Sequence, residues 1–559
     1  MMTAEEIRQK FLKFFERRGH KIVPSASLIP TDPSVLLTTA GMQPFKDYYL
    51  NPAAAEKDFG GVNVASVQKC FRTSDLDEVG DETHLTFFEM LGNFSFGGYF
   101  KQQAIELAHE FITYELGLKI DYVTIFAGDD SPAGGIPRDE ESKKIWQKLG
   151  LTDIRAGGRT DNFWGPTGTA GPCGPTTEIY VHGVEVWNLV FNEYYCRPNG
   201  QFEKLSTPGV DTGMGLERLT MIVQKKNNLF ETDLFTHLLE AVALPDQTEN
   251  DPERTKRIVA DHYRAIVFLI ADGVQPSNKG AGYVLRRLLR RLIAISRADH
   301  PELINLVLDH YQARYEELKK NHDLIVKVVT DEYLRFSIAL NRGLEELKKL
   351  DKVDAKTAFQ LYETYGLPFE AIKDRRPELT RADFEKEMAR HQQVSRAGLA
   401  KKFAGGLADR EAATIRLHTA HHLLLAALQQ VFGKQLKQRG SNINQERLRL
   451  DFTFDRKLTV EETPAVEKIV NEKIAADRPV IRKEMPRAEA ETLGAEKEFG
   501  QKYGETVAVY FIEDENGKMF SAEFCGGPHA TRTGELGRFK IIKDEAVAAG
   551  IRRIKATLD

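Results

Sequence analysis

Gln68-Lys69-Cys70-Phe71-Arg72-Thr73, answered by Thr86-Phe87-Phe88-Glu89-Met90-Leu91-Gly92-Asn93, reads as a hairpin with an arginine on its outgoing arm and aromatic and methionine side chains on its return. A second stretch, Asp211-Thr212-Gly213-Met214-Gly215-Leu216-Glu217-Arg218-Leu219, sets two glycines ahead of another arginine. Together they carry what ATP-dependent activation of a carboxylate needs: a cation for the α-phosphate, a surface for the adenine and an anion for the substrate ammonium. Arg72 on a strand suits bidentate phosphate contact. The glycines let backbone approach a ligand, so Arg218 can reach a triphosphate or stack on a base. Taken singly, each feature has a plainer explanation: a surface ion pair for Arg72, a helix-end ion pair for Arg218, and core packing for Phe87 and Phe88.

Outward from these stretches, residues 1–235 mix loops punctuated by Gly and Pro with short β-type runs at 178–181 and 186–191, the texture of an α+β catalytic domain. In residues 236–400, Val329, Tyr333, Phe336, Leu340, Leu344 and Leu347 recur at intervals of three and four, which predicts a helical domain. Residues 401–410 suit a linker. Residues 411–559 form a third, α+β domain that opens with an apolar helix at 417–431 and has strand-like runs at 448–454 and 507–511. Three domains agree with 559 residues, more than one core organises.

The composition, 42% hydrophobic and 28% charged, is that of a globular protein, and no apolar run is long enough to span a bilayer. Ile7, Phe11 and Phe15 recur at helical spacing among Glu5, Glu6 and Glu16, so the N-terminus reads as a helix and not an export signal. Four cysteines are too few for a disulfide framework, and the cytoplasm is the expected compartment. A net charge of −5 makes no global case for a polyanionic partner, so positive potential has to be local. Residues 281–297 supply it: Arg286, Arg287, Arg290, Arg291 and Arg297 lie on a helical pattern without one acid.

In the third domain His418 and His422 stand four apart on the apolar helix, and Cys525 and His529 repeat that spacing in Phe524-Cys525-Gly526-Gly527-Pro528-His529. One His-x3-His pair is commonly a helix face alone. Two pairs of nitrogen and sulfur ligands in one domain suit Zn2+.

The first two stretches resemble motifs 2 and 3 of class II aminoacyl-tRNA synthetases. The strings at 39–46, 87–99, 161–164, 171–175, 187–188 and 211–218 narrow the resemblance to the alanine enzymes, in the family's order. It implies a class II antiparallel-sheet catalytic domain, a helical tRNA-recognition domain and an α+β editing domain, with ATP and its Mg2+, alanine and tRNA(Ala) as partners. Arg72 would hold the α-phosphate and the substrate carboxylate, Arg218 the γ-phosphate and adenine face, and Asp211 the alanine ammonium. Phe87, Glu89, Met90, Gly213 and Gly215 would complete the ATP site, while Trp164, Asn188 and Val190 would limit side-chain size. The second domain would take tRNA through Arg286, Arg287, Arg290, Arg291 and Arg297, with Glu370.

The paired ligands resemble the signatures of the family's editing domain, where Gln438 matches the active-site glutamine and Cys525 is both ligand and editing residue. Hydrolysis of seryl- or glycyl-tRNA is the implied task. The sequence departs from the family in six places: a short acidic segment at 73–78 after Arg72, Arg297 and Glu370 where the family commonly has an asparagine and an aspartate that read a G·U pair in the acceptor stem, Pro528 in place of threonine, no room before His418 for the usual small β-barrel, and an end soon after Ile554 where a C-terminal domain would begin. The last of these makes a monomer the expectation.

Overall fold

In the computed structural model the hairpin at 68–93 lies inside a nine-stranded sheet. The structure describes residues 2–32, 35–129, 135–166, 168–244, 251–296, 300–373, 375–376, 378–400, 407, 409, 411–497, 504–514, 516–548 and 550–559. They divide into two units, Met1–Glu385 and Lys386–Asp559.

In the first unit the strands, numbered along the chain, run in the spatial order β1 (Lys21–Ile22), β2 (Asn63–Phe71), β3 (Phe87–Ser95), β9 (Phe202–Gly215), β8 (Val184–Cys196), β7 (Gly171–Val181), β4 (Tyr122–Phe126) and β5 (Ile154–Gly157), with β6 (Phe163–Trp164) paired to β7 off that path. From β2 to β4 every ladder is antiparallel, and parallel pairings occur only at the β1 and β5 edges. Alternation along the strands sorts the side chains. Phe87, Glu89 and Leu91 of β3, Trp187, Leu189 and Phe191 of β8 and Met214 of β9 are buried on one face. There the helix Ala4–Glu16, started by a Thr3/Glu6 capping box, lays Phe11 6.0 Å and Phe15 6.3 Å from the Trp187 ring. The opposite face carries Phe88, Met90, Asn188, Val190, Asp211, Gly213 and Gly215.

The helices expected beyond residue 235 share this core. Phe268 of the helix Pro252–Ala271 stacks on Phe87 at 4.2 Å. From the same helix, the Arg264 guanidinium donates to the Phe87 carbonyl and to Glu217, and Asp261 accepts from the Thr86 amide at 2.9 Å and its hydroxyl at 2.6 Å. The division expected near 235 therefore falls inside one unit, because buried charges on the helix find partners at Thr86, Phe87 and Glu217, on the far side of that division. Among the described residues no helix is long and apolar enough to cross a membrane.

In the second unit the helix Ala412–Phe432 packs on an antiparallel four-stranded sheet, in the order β10 (Gln438–Ile443), β11 (Leu448–Thr453), β16 (Ile551–Leu558), β15 (Phe539–Ala548). Leu417, Leu424 and Leu428 meet Leu448, Leu450, Phe452 and Ile554 in one core. A second antiparallel sheet holds β12 (Ile481–Pro486), β13 (Thr506–Glu513) and β14 (Met519–Phe524). Most of the expected linker at 401–410 lies outside the described residues.

Two candidate functional sites

On the open face of the first sheet a cavity of about 150 Å3 is lined by Arg72, His84, Phe88, Met90, Glu185, Gly213, Gly215 and Arg218, among others. The Arg72 amide donates to the Thr86 carbonyl at 2.9 Å, which closes the hairpin, and its guanidinium lies 4.9 Å from the Phe88 ring. Arg218, at the start of the helix Leu216–Val223, rests on Glu185 at 3.3 Å. Both partners of that pair are about a third exposed (39% and 35%), so the contact is weak and free to yield to a phosphate. A Cβ at Gly213 would stand 2.8 Å from the Met90 sulfur, so a larger residue there would displace the Met90 side chain that lines the cavity.

Two of the expected ATP contacts are corrected. Phe87 and Glu89 point away from the cavity, because residues of odd number on β3 face the core. Phe87 is stacked on Phe268. The Glu89 carboxylate takes Arg8 Nε at 3.0 Å and the Tyr315 hydroxyl at 2.8 Å with no solvent exposure, which makes it an internal anchor. Phe88, two positions from Met90, is the aromatic that lines the cavity; alternation from Met90 is the signal that identifies it.

Asp211 and its neighbours continue this face. The register sets Asp211 beside Val190, Gly213 beside Asn188, and Asn188 beside Glu178. Among the described residues no cation pairs with the Asp211 carboxyl, and burial alone pushes it up to about 8. Asn188 donates to Glu178 at 3.2 Å while its carbonyl oxygen stays buried without a partner. Trp164 pairs with Gly174 across β6 and β7 and packs, half-buried, on the cluster of Met42 and Phe45. Sequence reasoning missed Glu178, which accepts from Thr124 at 3.1 Å and Tyr180 at 3.0 Å and is pushed up to about 7 by burial and by the charge of Glu185. An acid inside a β-type run was its only mark.

The arginine-rich segment is the helix Gly280–Ser296, but its charges are largely partnered. Glu332 meets Arg286 at 3.2 Å and Arg290 at 3.3 Å, and Asp77 meets Arg287 at 2.8 Å. Arg291, expected on the phosphate-binding surface, is internal: it is buried and donates to the Leu76 carbonyl. The acidic segment after Arg72 thus serves as the docking point of this helix. Arg297 lies outside the described residues, as does the side chain of Glu370, whose backbone belongs to the helix Phe369–Lys373.

In the second unit one candidate ligand atom from each of His418, His422, Cys525 and His529 lies within 4.8 Å of the others. His418 Nε2 is 3.4 Å from the Cys525 sulfur, the His418 and His529 rings stack at 4.1 Å, and His529 Nε2 is buried without a hydrogen bond. Burial pushes His418 down to about 4 and holds His422 and His529 well below their ordinary value. Neutral imidazoles are the form a metal requires. Three imidazoles and one thiol at this separation fit zinc. Gln438 is buried at the head of β10, opposite Phe452.

Comparison with known proteins covers both regions. The family described as tRNA synthetases class II (A) matches residues 6–424, and that of the threonyl and alanyl tRNA synthetase second additional domain matches 507–555. The alanine--tRNA ligase of Treponema pallidum (strain Nichols) is 41% identical over 608 aligned positions, covering 100% of this chain and 98% of that protein. The protein of the same name from Borreliella afzelii (strain PKo) is 41% identical over 605 positions and is covered completely, while that from Dehalococcoides mccartyi (strain CBDB1) is 34% identical and 80% covered. With the antiparallel sheet, its paired arginines and the full-length match in agreement, the chain belongs to the alanyl-tRNA synthetase family of class II aminoacyl-tRNA synthetases.

Proposed function

We propose that this chain activates alanine with ATP, transfers it to tRNA(Ala), and hydrolyses seryl- and glycyl-tRNA(Ala) at the second site. The observation that carries the reading is Asp211, a buried carboxyl on the cavity face of the sheet that no cation pairs among the described residues. An α-ammonium is the partner it lacks. With the ammonium there, Arg72 holds the substrate carboxylate against the α-phosphate. A carboxylate oxygen attacks phosphorus, the bond to the bridging oxygen breaks, and diphosphate leaves. Magnesium enters with ATP as part of the substrate, and Arg218 exchanges Glu185 for the γ-phosphate. The terminal tRNA hydroxyl then attacks the alanyl carbonyl and AMP departs.

Trp164, Asn188 and Val190 bound the side-chain pocket, which rejects larger residues by volume. Such a pocket discriminates poorly against one added hydroxyl and cannot exclude glycine, so a hydrolytic site is needed. His418, His422, Cys525 and His529 would hold the zinc there, and bound zinc supplies a Lewis acid for hydrolysis. Gln438 and Cys525 are the proposed editing side chains. Arg286, Arg287, Arg290 and Arg297, with Glu370, are the proposed tRNA contacts of a cytoplasmic monomer. ATP–diphosphate exchange with alanine, serine and glycine tests the reading: alanine should support the fastest exchange. A folded protein that exchanges with none of them is instead a paralogue that only edits or binds.

A further inference from the structure

Each of the three histidines at the second site has one ring nitrogen turned to the protein. His418 Nδ1 meets the Pro528 carbonyl at 2.9 Å, and His529 Nδ1 meets the Thr419 hydroxyl at 3.3 Å. For His422 the facing group is Glu523, whose Oε2 lies 3.4 Å from Nδ1. Glu523 reaches this place by register. It stands two residues before Cys525, whose amide continues the pairing just past β14 by donating to the Ala508 carbonyl at 3.1 Å, so alternation gives both one face, while Phe524 packs on Val507, Val509 and Phe511 behind. Its cross-strand neighbour Tyr510 covers the His529 ring at 4.0 Å.

His421 adds a second observation. It is buried, and neither ring nitrogen has a hydrogen-bond partner. A nitrogen of His421, one of His422 and a carboxylate oxygen of Glu523 lie within 4.8 Å of one another.

We propose that Glu523 is a positioning residue of the metal centre: its carboxylate accepts the Nδ1 proton of His422 in a hydrogen bond, which turns Nε2 toward the metal. The inference rests on the zinc reading above. A neutral imidazole has one N–H and one lone pair, so the group that takes the proton decides which nitrogen ligates. The same three residues could instead be thought to hold a cation of their own. That would require His422 to offer lone pairs from both nitrogens and to lose its remaining proton.

The test is zinc affinity of the full chain, by competition with a chromophoric chelator, together with the absorption spectrum of the Co2+-substituted protein. The wild type should bind one ion. Glu523→Leu should weaken zinc by roughly ten- to a hundredfold and shift the Co2+ bands. Glu523→Gln, whose amide oxygen still accepts, should recover most of the affinity. Melting of the metal-free proteins checks folding. If Glu523→Leu does not fold, Glu523→Asp carries the test, because it pulls the carboxylate back by one methylene and should weaken zinc severalfold. Unchanged affinity and spectrum in the folded variant would overturn the role of Glu523 while leaving the zinc reading intact. Two ions per chain would overturn it in favour of a separate cation position. A wild type that binds no zinc would overturn the zinc reading itself.

Discussion

In the sheet cavity the deficit read as ligand-binding is the buried carboxyl of Asp211, which no cation pairs among the described residues; in the second unit it is the lone pair of His529 Nε2, buried without a hydrogen bond near Cys525. Both arrangements cost stability in the free protein, since buried polar groups are expensive unless paired. On the proposed reading an ammonium meets the first deficit and a Lewis-acidic ion the second. The frameworks differ as well. Strand register alone aligns Asp211, Val190, Asn188 and Gly213, whereas the ligand set needs one helix and one loop to converge. The kind of deficit therefore identifies the kind of ligand.

The largest expected effect tests the anion. Arg72→Ala or Asp211→Asn should lower alanine-dependent exchange by about two orders of magnitude or more in a folded protein, and near-normal exchange would break the assignment. Stability should move the other way. Burial pushes the folded Asp211 carboxyl from the ordinary carboxylate range up to about 8. Within that window the folded chain keeps a proton that the unfolded chain releases, so this contribution to stability declines as pH rises and is gone above 8. Asp211→Asn should accordingly melt higher than the wild type at pH 8 to 9 and close to it near pH 4, as scanning calorimetry can read.

The next prediction separates the two sites. Metal analysis should find about one zinc per chain, and Cys525→Ala should lower it. Chelation should abolish clearance of seryl-tRNA yet leave alanine exchange unchanged, because the two sites lie in different units. A parallel loss of exchange would show that the sites are not independent.

A smaller effect divides the arginines of the helix Gly280–Ser296. Arg291→Ala leaves the Leu76 carbonyl without its donor and should cost about 1–3 kcal/mol of stability in denaturant titration. Arg287→Ala removes only a half-exposed ion pair with Asp77 and should cost less than about 1 kcal/mol, but raise the KM for tRNA and flatten its salt dependence. The reverse pattern would put Arg291 on the tRNA surface after all.

The smallest effect concerns Arg297 and Glu370, which stand where the family commonly has an asparagine and an aspartate that read a G·U pair in the acceptor stem. An arginine only donates and can hold any phosphate without reading a base. Discrimination of G·U from G·C should fall below the roughly ten- to hundredfold that a base contact of 1–3 kcal/mol provides. Aminoacylation of two tRNAs differing only at that pair measures it.

The linear order of residues was enough to place the hairpin at Arg72, the glycines before Arg218 and the two His/Cys pairs, because each depends on short spacings that backbone geometry turns directly into proximity. The family resemblance also singled out Asp211, whose pairing with the substrate ammonium is the proposal made above. Which face of β3 meets the ligand was not legible: Phe87 and Phe88 are equivalent until a helix nearly two hundred residues away stacks on one of them. The same holds for Glu89, claimed by Arg8, for Arg291, claimed by the Leu76 carbonyl, and for Glu178, which only register brings beside Asn188. A run of five arginines announces charge, but whether a given charge is free depends on Glu332 and Asp77, which are distant in sequence. Chemistry carried by local spacing could be read from the chain. The partner of each buried charge was decided only by folding, since burial is a property of the whole packed unit and not of any segment.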